Sequence, residues 1–276
     1  MDPLPMKIMP GRPGLIRMER PVPYLRYSLL SSYPQLSHAV FTRYGGMSYP
    51  PYDRLNTSYD VGDLPRHVAA NLAIIKDTVC AKKLMYMKQV HGTGILVIRT
   101  GDERSGVQTP SADAVITNVP DLAVLVKQAD CQGVILFDPE RSVLAIVHCG
   151  WRGNVANILT KVVARMKGEF GCEECDLLAC IGPSLGPCCA EFVDHKMIFP
   201  EDFHAFRVNT NYFDLKAISR RQLLNAGLRQ ENIQISDICT RCCTDLFYSY
   251  RGEGTTGRFG TVAMLRQGGI RHANVH

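Results

Sequence analysis

Three residues from separate stretches carry groups that soft and borderline metal ions prefer. They are His91 in KQVHG, Cys131 in QADC and His148 in VHCGWRGN. Two imidazoles and one thiolate suit Zn²⁺, and three protein ligands leave a fourth position for water or substrate, as a catalytic zinc requires. A His₂Cys set also suits copper. A lone histidine at the end of an apolar strand is more often a packed core residue, so this reading needs the three side chains to meet.

Hairpin geometry brings two of them together. Val134–Asp138 and Val143–Val147 are apolar runs separated by Pro139-Glu140-Arg141-Ser142, a short connection that predicts a β-hairpin. If Asp138 faces Val143, counting back along both strands puts Gly133 opposite His148, with Cys131 two residues beyond. Side chains so paired lie within a few ångströms. His91 ends another expected strand and would complete the set, an approach that hairpin counting does not supply. Cys149 should point to the opposite face from His148 and serve packing.

Further groups suit the same chemistry. Asp130, beside Cys131, can orient a ligand or accept a proton. Arg152 sits between glycines at an expected helix start, where backbone N–H groups and a guanidinium favour an anion. Arg43 in TRYGG has the same character, although each arginine is as readily a surface ion-pair donor. The cysteines carry two other readings. Cys131 as nucleophile with His148 as base would make a metal-free cysteine hydrolase or amidase, acting on a peptide or cell-wall precursor. The pairs Cys172/Cys175 and Cys239/Cys242, with Cys188, Cys189 and Cys243 between and beside them, would make a non-catalytic zinc scaffold. The spacing favours scattered reduced thiols over that scaffold.

These groups need a framework. The chain has 276 residues, 46% hydrophobic, with a net charge of +5, enough for a large core and too mildly basic for a nucleic-acid footprint. No run approaches a membrane span, the first twenty residues lack the apolar centre of a secretory signal, and eleven cysteines is an odd number. A cytoplasmic protein with reduced thiols and no membrane or nucleic-acid partner is expected. Residues 1–22 read as an arm and 23–276 as one domain. Strands are expected at Leu36 onward, KLMYMKQVHG, GILVIRT, LLACIGPS and TVAMLRQ. Helices are expected over Pro65–Cys80, from Val155 through Met166 with Gly168 near the end, and over Asp214–Ala226 before Gly227. The sum is a mixed α/β layered domain.

The motifs FTRYGGMS with Leu55-Asn56, KQVHG, SADAVIT, QADC, HCGWRG, CIGPS and CT…FYSYRG…TGR occur in one order along nearly the whole chain beyond the arm. In this the sequence resembles the laccase-domain proteins, long called polyphenol or multicopper oxidases and now viewed as purine nucleoside phosphorylases. The resemblance implies a layered α/β/β/α fold shared with certain cysteine hydrolases. It also implies phosphorolysis of adenosine, inosine and methylthioadenosine, with adenosine deamination beside it. It carries metal ligands onto His91, Cys131 and His148, and puts functional residues at Arg43 and Asn56. Arg43 is then the first candidate for phosphate and Arg152 the second. Eight histidines without any His-x-His pair argue against a laccase-type copper cluster. The chain departs from the family pattern at Gly133, Cys149, Ala190 and Gly252.

Overall fold

The computed structural model describes residues 15–18, 22–102 and 110–267. One mixed sheet runs β1 (Leu15–Met18), β2 (Tyr24–Tyr27), β3 (Leu36–Phe41), β14 (Phe259–Leu265), β7 (Leu122–Gln128), β4 (Lys83–Tyr86). A second runs β13 (Ile233–Ile235), β10 (Leu178–Ile181), β8 (Gln132–Asp138), β9 (Val143–Cys149), β6 (Ala114–Thr117), β5 (Ile95–Ile98). A ribbon pairs β11 (Arg207–Asn209) with β12 (Tyr212–Phe213). The helices are α1 (Ser28–Ser31), α2 (Pro65–Thr78), α3 (Trp151–Val155), α4 (Ile158–Phe170), α5 (His195–Ile198), α6 (Leu215–Asn225) and α7 (Tyr250–Glu253). Among the described residues no helix is long and apolar enough to cross a membrane.

Period-2 alternation builds the layers. In β9, Leu144 and Ile146 face the first sheet and join Val124, Val126 and Ala263 in the central core. Val143, Ala145, Val147 and Cys149 face the other way, onto Ile158, Val162 and Met166 of α4. On the far side of the first sheet, Phe41, Leu125 and Val262 pack under Val68, Leu72 and Ile75 of α2. The order is helix, sheet, sheet, helix, the α/β/β/α arrangement. Cys149 is fully buried on the α4 side, as alternation required.

Three local expectations need correction. Leu15–Met18, inside the stretch read as an arm, pairs antiparallel with β2 as an edge strand; residues 1–14 and 19–21 of that arm lie outside the described residues. The helix expected after the hairpin is two helices, because Asn157 takes the left-handed conformation (φ 55°, ψ 51°) that asparagine tolerates better than most residues. That break separates α3 from α4, which packs on the second sheet. Its end comes at Gly171, whose φ of 67° is the usual glycine cap, and α4 runs through Gly168.

Candidate metal centre and its cavity

The hairpin register is the expected one: Asp138 pairs with Val143 and Gly133 with His148. His148 therefore shares the inter-sheet face of β9, at the end where the apolar core gives out. Cys131 stands just before β8. His91 comes from the segment that leaves β4 in one sheet and enters β5 in the other. Gln89 anchors this crossing, donating through Nε2 to the Lys127 carbonyl (2.7 Å) and accepting from the Lys127 N–H (2.8 Å). The ligand atoms of His91, Cys131 and His148 all lie within 4.8 Å of one another.

A residue with no assigned role in the sequence reading fixes two of the three. The buried Asp113 carboxylate in SADAVIT accepts from the backbone N–H of His91 (2.9 Å) and of Gly92 (2.7 Å). It also meets His148 Nδ1 at 2.9 Å. One carboxylate thus holds His91 at its left-handed φ of 59° and commits Nδ1 of His148, leaving Nε2 for a metal. Burial pushes the Asp113 carboxyl up, but the His148 bond and the two backbone donors more than offset it, and it is held below the ordinary range. A signal existed in the sequence: an aspartate beside an apolar strand must find partners if it is buried.

Electrostatics and space both suit a cation. Burial alone would raise the Cys131 thiol, yet His148 and then His91 outweigh it and lower it to about 6. Burial likewise lowers His148, but the Cys131 charge and the Asp113 bond raise it to about 9. Gly150 leaves room for the cluster, because a Cβ there would sit 2.9 Å from Cys131 Sγ and 3.3 Å from His91 Cδ2. The donor set, the committed tautomer and this gap fit a metal ion.

The cluster opens into a cavity of about 580 Å³, within the range of small-molecule sites. Lys127, Arg152, Arg251 and Arg258 bring positive charge to its walls, and Trp151, Phe192 and Tyr250 bring aromatic surface. The Arg258 guanidinium donates to the carbonyls of Thr256 and Gly257, both at 2.9 Å. Burial lowers its pKa and that of Lys127, whose ammonium lies 3.5 Å from Asp60. Arg152 stacks over Trp151 at 4.3 Å.

The other expected site residues divide. Arg152 and Asp130 line the cavity; Arg43 and Asn56 do not. Arg43 is spent on its neighbours: it donates to the Asp53 and Thr244 carbonyls (3.0 and 2.6 Å), pairs with Glu253 at 2.8 Å and lies over Tyr248. Its guanidinium fastens two loops. The buried Asn56 side chain holds backbone in place, its Oδ1 accepting from Ser58 N–H (3.1 Å) and Arg258 N–H (2.9 Å), so it positions the cationic wall. Asp130 makes its hydrogen bonds away from the His91–Cys131–His148 cluster. Its carboxylate accepts from Thr240 Oγ1, Ser249 Oγ (each 2.7 Å) and Arg251 N–H (2.6 Å). The carboxylate that meets His148 Nδ1 is that of Asp113. Arg251 and Arg258 lie in the quoted YSYRG and TGR motifs, but nothing local marked them as converging on residue 131.

Cys172 and Cys175 also part from the expected scaffold. Cys172 is buried in the core under α4, and Cys175 approaches Asp176. Of the departures, Gly133 has a plain reason: a Cβ there would overlap Gln128 Oε1 and lie 2.8 Å from Thr261 Oγ1. Gly252 is close to Ser249 Oγ (3.2 Å) and Arg241 Cγ (3.3 Å) for the same imagined atom, and Ala190 packs in the aromatic cluster beside the cavity.

The family model for multi-copper polyphenol oxidoreductase laccase matches residues 37–266. A purine nucleoside phosphorylase of Bacteroides thetaiotaomicron is 30% identical, over 88% of this chain and 96% of its own. The purine nucleoside phosphorylase YfiH of Escherichia coli is 32% identical, over 81% and 91%. The crystal structure of YlmD from Geobacillus stearothermophilus superposes with a TM-score of 0.82 at 26% identity, covering 92% of this chain and 100% of that one. The chain belongs to the laccase-domain family, and relatives similar to it along most of their length carry the name purine nucleoside phosphorylase.

Proposed function

We propose that the cavity binds a purine nucleoside and phosphate, and that the chain is a zinc-dependent purine nucleoside phosphorylase acting on adenosine, inosine and methylthioadenosine, with adenosine deamination beside it. The observation that carries this reading is the open His91–Cys131–His148 cluster, braced by Asp113, at the floor of a cationic and aromatic cavity. A phosphate oxygen attacks the anomeric carbon, the C–N bond breaks, and the purine leaves with the electron pair and takes a proton. Arg258 and Arg152 are the groups on the cavity wall suited to holding the phosphate dianion. Trp151, Phe192 and Tyr250 offer faces for the base. Zn²⁺ held by His91, Cys131 and His148 would supply Lewis-acid polarisation for charge developing on the base, and an activated water for deamination. Copper fits the same three ligands, but among the described residues neither metal-competent group has the histidines of a laccase copper cluster.

The test is incubation of each nucleoside with and without phosphate, followed by product identification. Free base with ribose 1-phosphate, formed only when phosphate is present, supports phosphorolysis. Inosine from adenosine under both conditions supports deamination. No turnover of any purine nucleoside sinks the proposal. A second reading has one observation in its favour: Cys131, His148 and Asp113 stand in the order nucleophile, base and orienting carboxylate of a cysteine hydrolase. Chelation separates the two, since it stops a metal enzyme and spares a thiol hydrolase.

A further inference from the structure

A second group of soft ligands gathers behind the cavity. Cys188 and Cys189 lie in the loop after β10, and Cys239 and Cys242 in the turn after β13; all four Sγ atoms lie within 4.8 Å of one another. Cys242 Sγ is 3.6 Å from Cys188 and 3.5 Å from Cys189. Four sulfurs around a tetrahedral ion, each at about 2.3 Å, stand about 3.8 Å apart, so little movement is needed to enclose one.

Backbone donors and a cation gather at the Cys239 sulfur. Gly186 N–H donates to Cys239 Sγ at 3.2 Å, and the Cys242 backbone donates to the same sulfur across the C-x-x-C turn. Gly186 is also a cradle: a Cβ there would lie 2.9 Å from Cys239 Cβ and 3.4 Å from the sulfurs of Cys188 and Cys239. The buried Lys216 ammonium is fixed next door by the carbonyls of Ser236 and Ile238, both at 2.7 Å, and interacts electrostatically with Cys239 and Cys188. Four thiolates on a divalent ion carry an excess of two negative charges, which one buried lysine and the amide donors offset in part. Cys188 and Cys242 are exposed, which gives an ion a way in.

We propose that Cys188, Cys189, Cys239 and Cys242 form a closed structural Zn²⁺ site that fastens the loop after β10 to the turn after β13. The fastened turns hold the candidate active-site wall. Ser184 bridges to Cys239, Leu185 N–H donates to the Asp130 carbonyl (2.9 Å), and Thr240 Oγ1 donates to the Asp130 carboxylate (2.7 Å), one residue before Cys131.

The proposal is tested on the full chain, purified anaerobically from zinc-supplemented cells, by counting zinc in the Cys131→Ser variant. That variant is expected to keep about one zinc, with an X-ray absorption shell of four sulfurs at about 2.3 Å. Adding Cys188→Ser and Cys242→Ser should remove it. Cobalt(II) titration of the Cys131→Ser protein gives a reading independent of whether the triple variant folds: thiolate-to-metal charge-transfer bands are expected at one equivalent. A zinc-free Cys131→Ser protein that also lacks those bands, a shell of mixed nitrogen and sulfur, or a disulfide joining Cys242 to Cys188 or Cys189 would overturn it.

Discussion

The His91–Cys131–His148 cluster and the four-thiol cluster both gather at the ends of strands of the second sheet, yet they are prepared for opposite tasks. The first has three ligands of two kinds, a carboxylate holding one imidazole, and a cavity in front of it. The second has four identical ligands, amide donors to sulfur and no cavity among its uses. Three ligands leave a coordination position for chemistry, whereas four saturate the ion and leave only cohesion. The hydrogen bond from Thr240 to Asp130 links the two, so the closed site can steady the open one without touching substrate.

The comparison breaks most sharply at Cys131. Cys131→Ser should abolish phosphorolysis while leaving the thermal midpoint and the four-thiol metal in place; activity retained with metal lost would reverse the assignment of roles. Gly150→Ala should cost about 100-fold in kcat/KM, because its methyl group displaces Cys131 and His91 and small misplacements of reacting groups cost that much. A steady-state assay checks this, with zinc content showing whether the ion leaves too. Asp113→Asn should weaken metal affinity at the open site by about 10- to 100-fold through the loss of His148 orientation. Competition with a chelator measures it, and the closed site should show no change.

In chelated protein the thiols themselves separate by pH. Burial favours the neutral thiol at Cys131, but its histidines prevail and bring it to about 6, while burial and neighbouring thiols raise Cys189 to about 11. Alkylation by iodoacetamide should therefore rise with a midpoint near pH 6 at Cys131 and level off, with Cys189 slower at pH 7 by about 10-fold or more. Peptide mapping across pH reads both sites in one sample. The smallest effect on activity is expected from Cys242→Ser, a change of a few-fold at most. That variant should instead lose about 3–4 kcal/mol of zinc-dependent stabilisation, seen as a midpoint no longer sensitive to added chelator.

Legibility in the sequence followed sequence distance. The hairpin register, the burial of Cys149 and the helix over Pro65–Thr78 were readable because each rests on a local period or a short turn. The double helix after Gly150 was missed because hydrophobic spacing passes smoothly through Asn157, and only the backbone reveals its left-handed turn. The partners of Arg43 were not legible because an arginine before a Gly-Gly turn looks the same whether it faces a ligand or a carbonyl. Asp113 and Gln89 were hidden because their partners lie 22 and 38 residues away, across a change of sheet.

By itself the sequence determined the chemistry available and half of its placement. It supplied two imidazoles and a thiolate, and a four-residue turn between apolar strands that sets Gly133 opposite His148 with Cys131 just beyond, since strand pairing has a period of two and a fixed direction. Tertiary structure alone decided the rest. Stacking the two sheets carried His91 to the other ligands, put Asp113 behind them, drew Arg258 toward the cavity while tying Arg43 elsewhere, and gathered four cysteines from two distant turns. Those meetings depend on how separate faces pack, and packing of distant surfaces is written in no short stretch of chain.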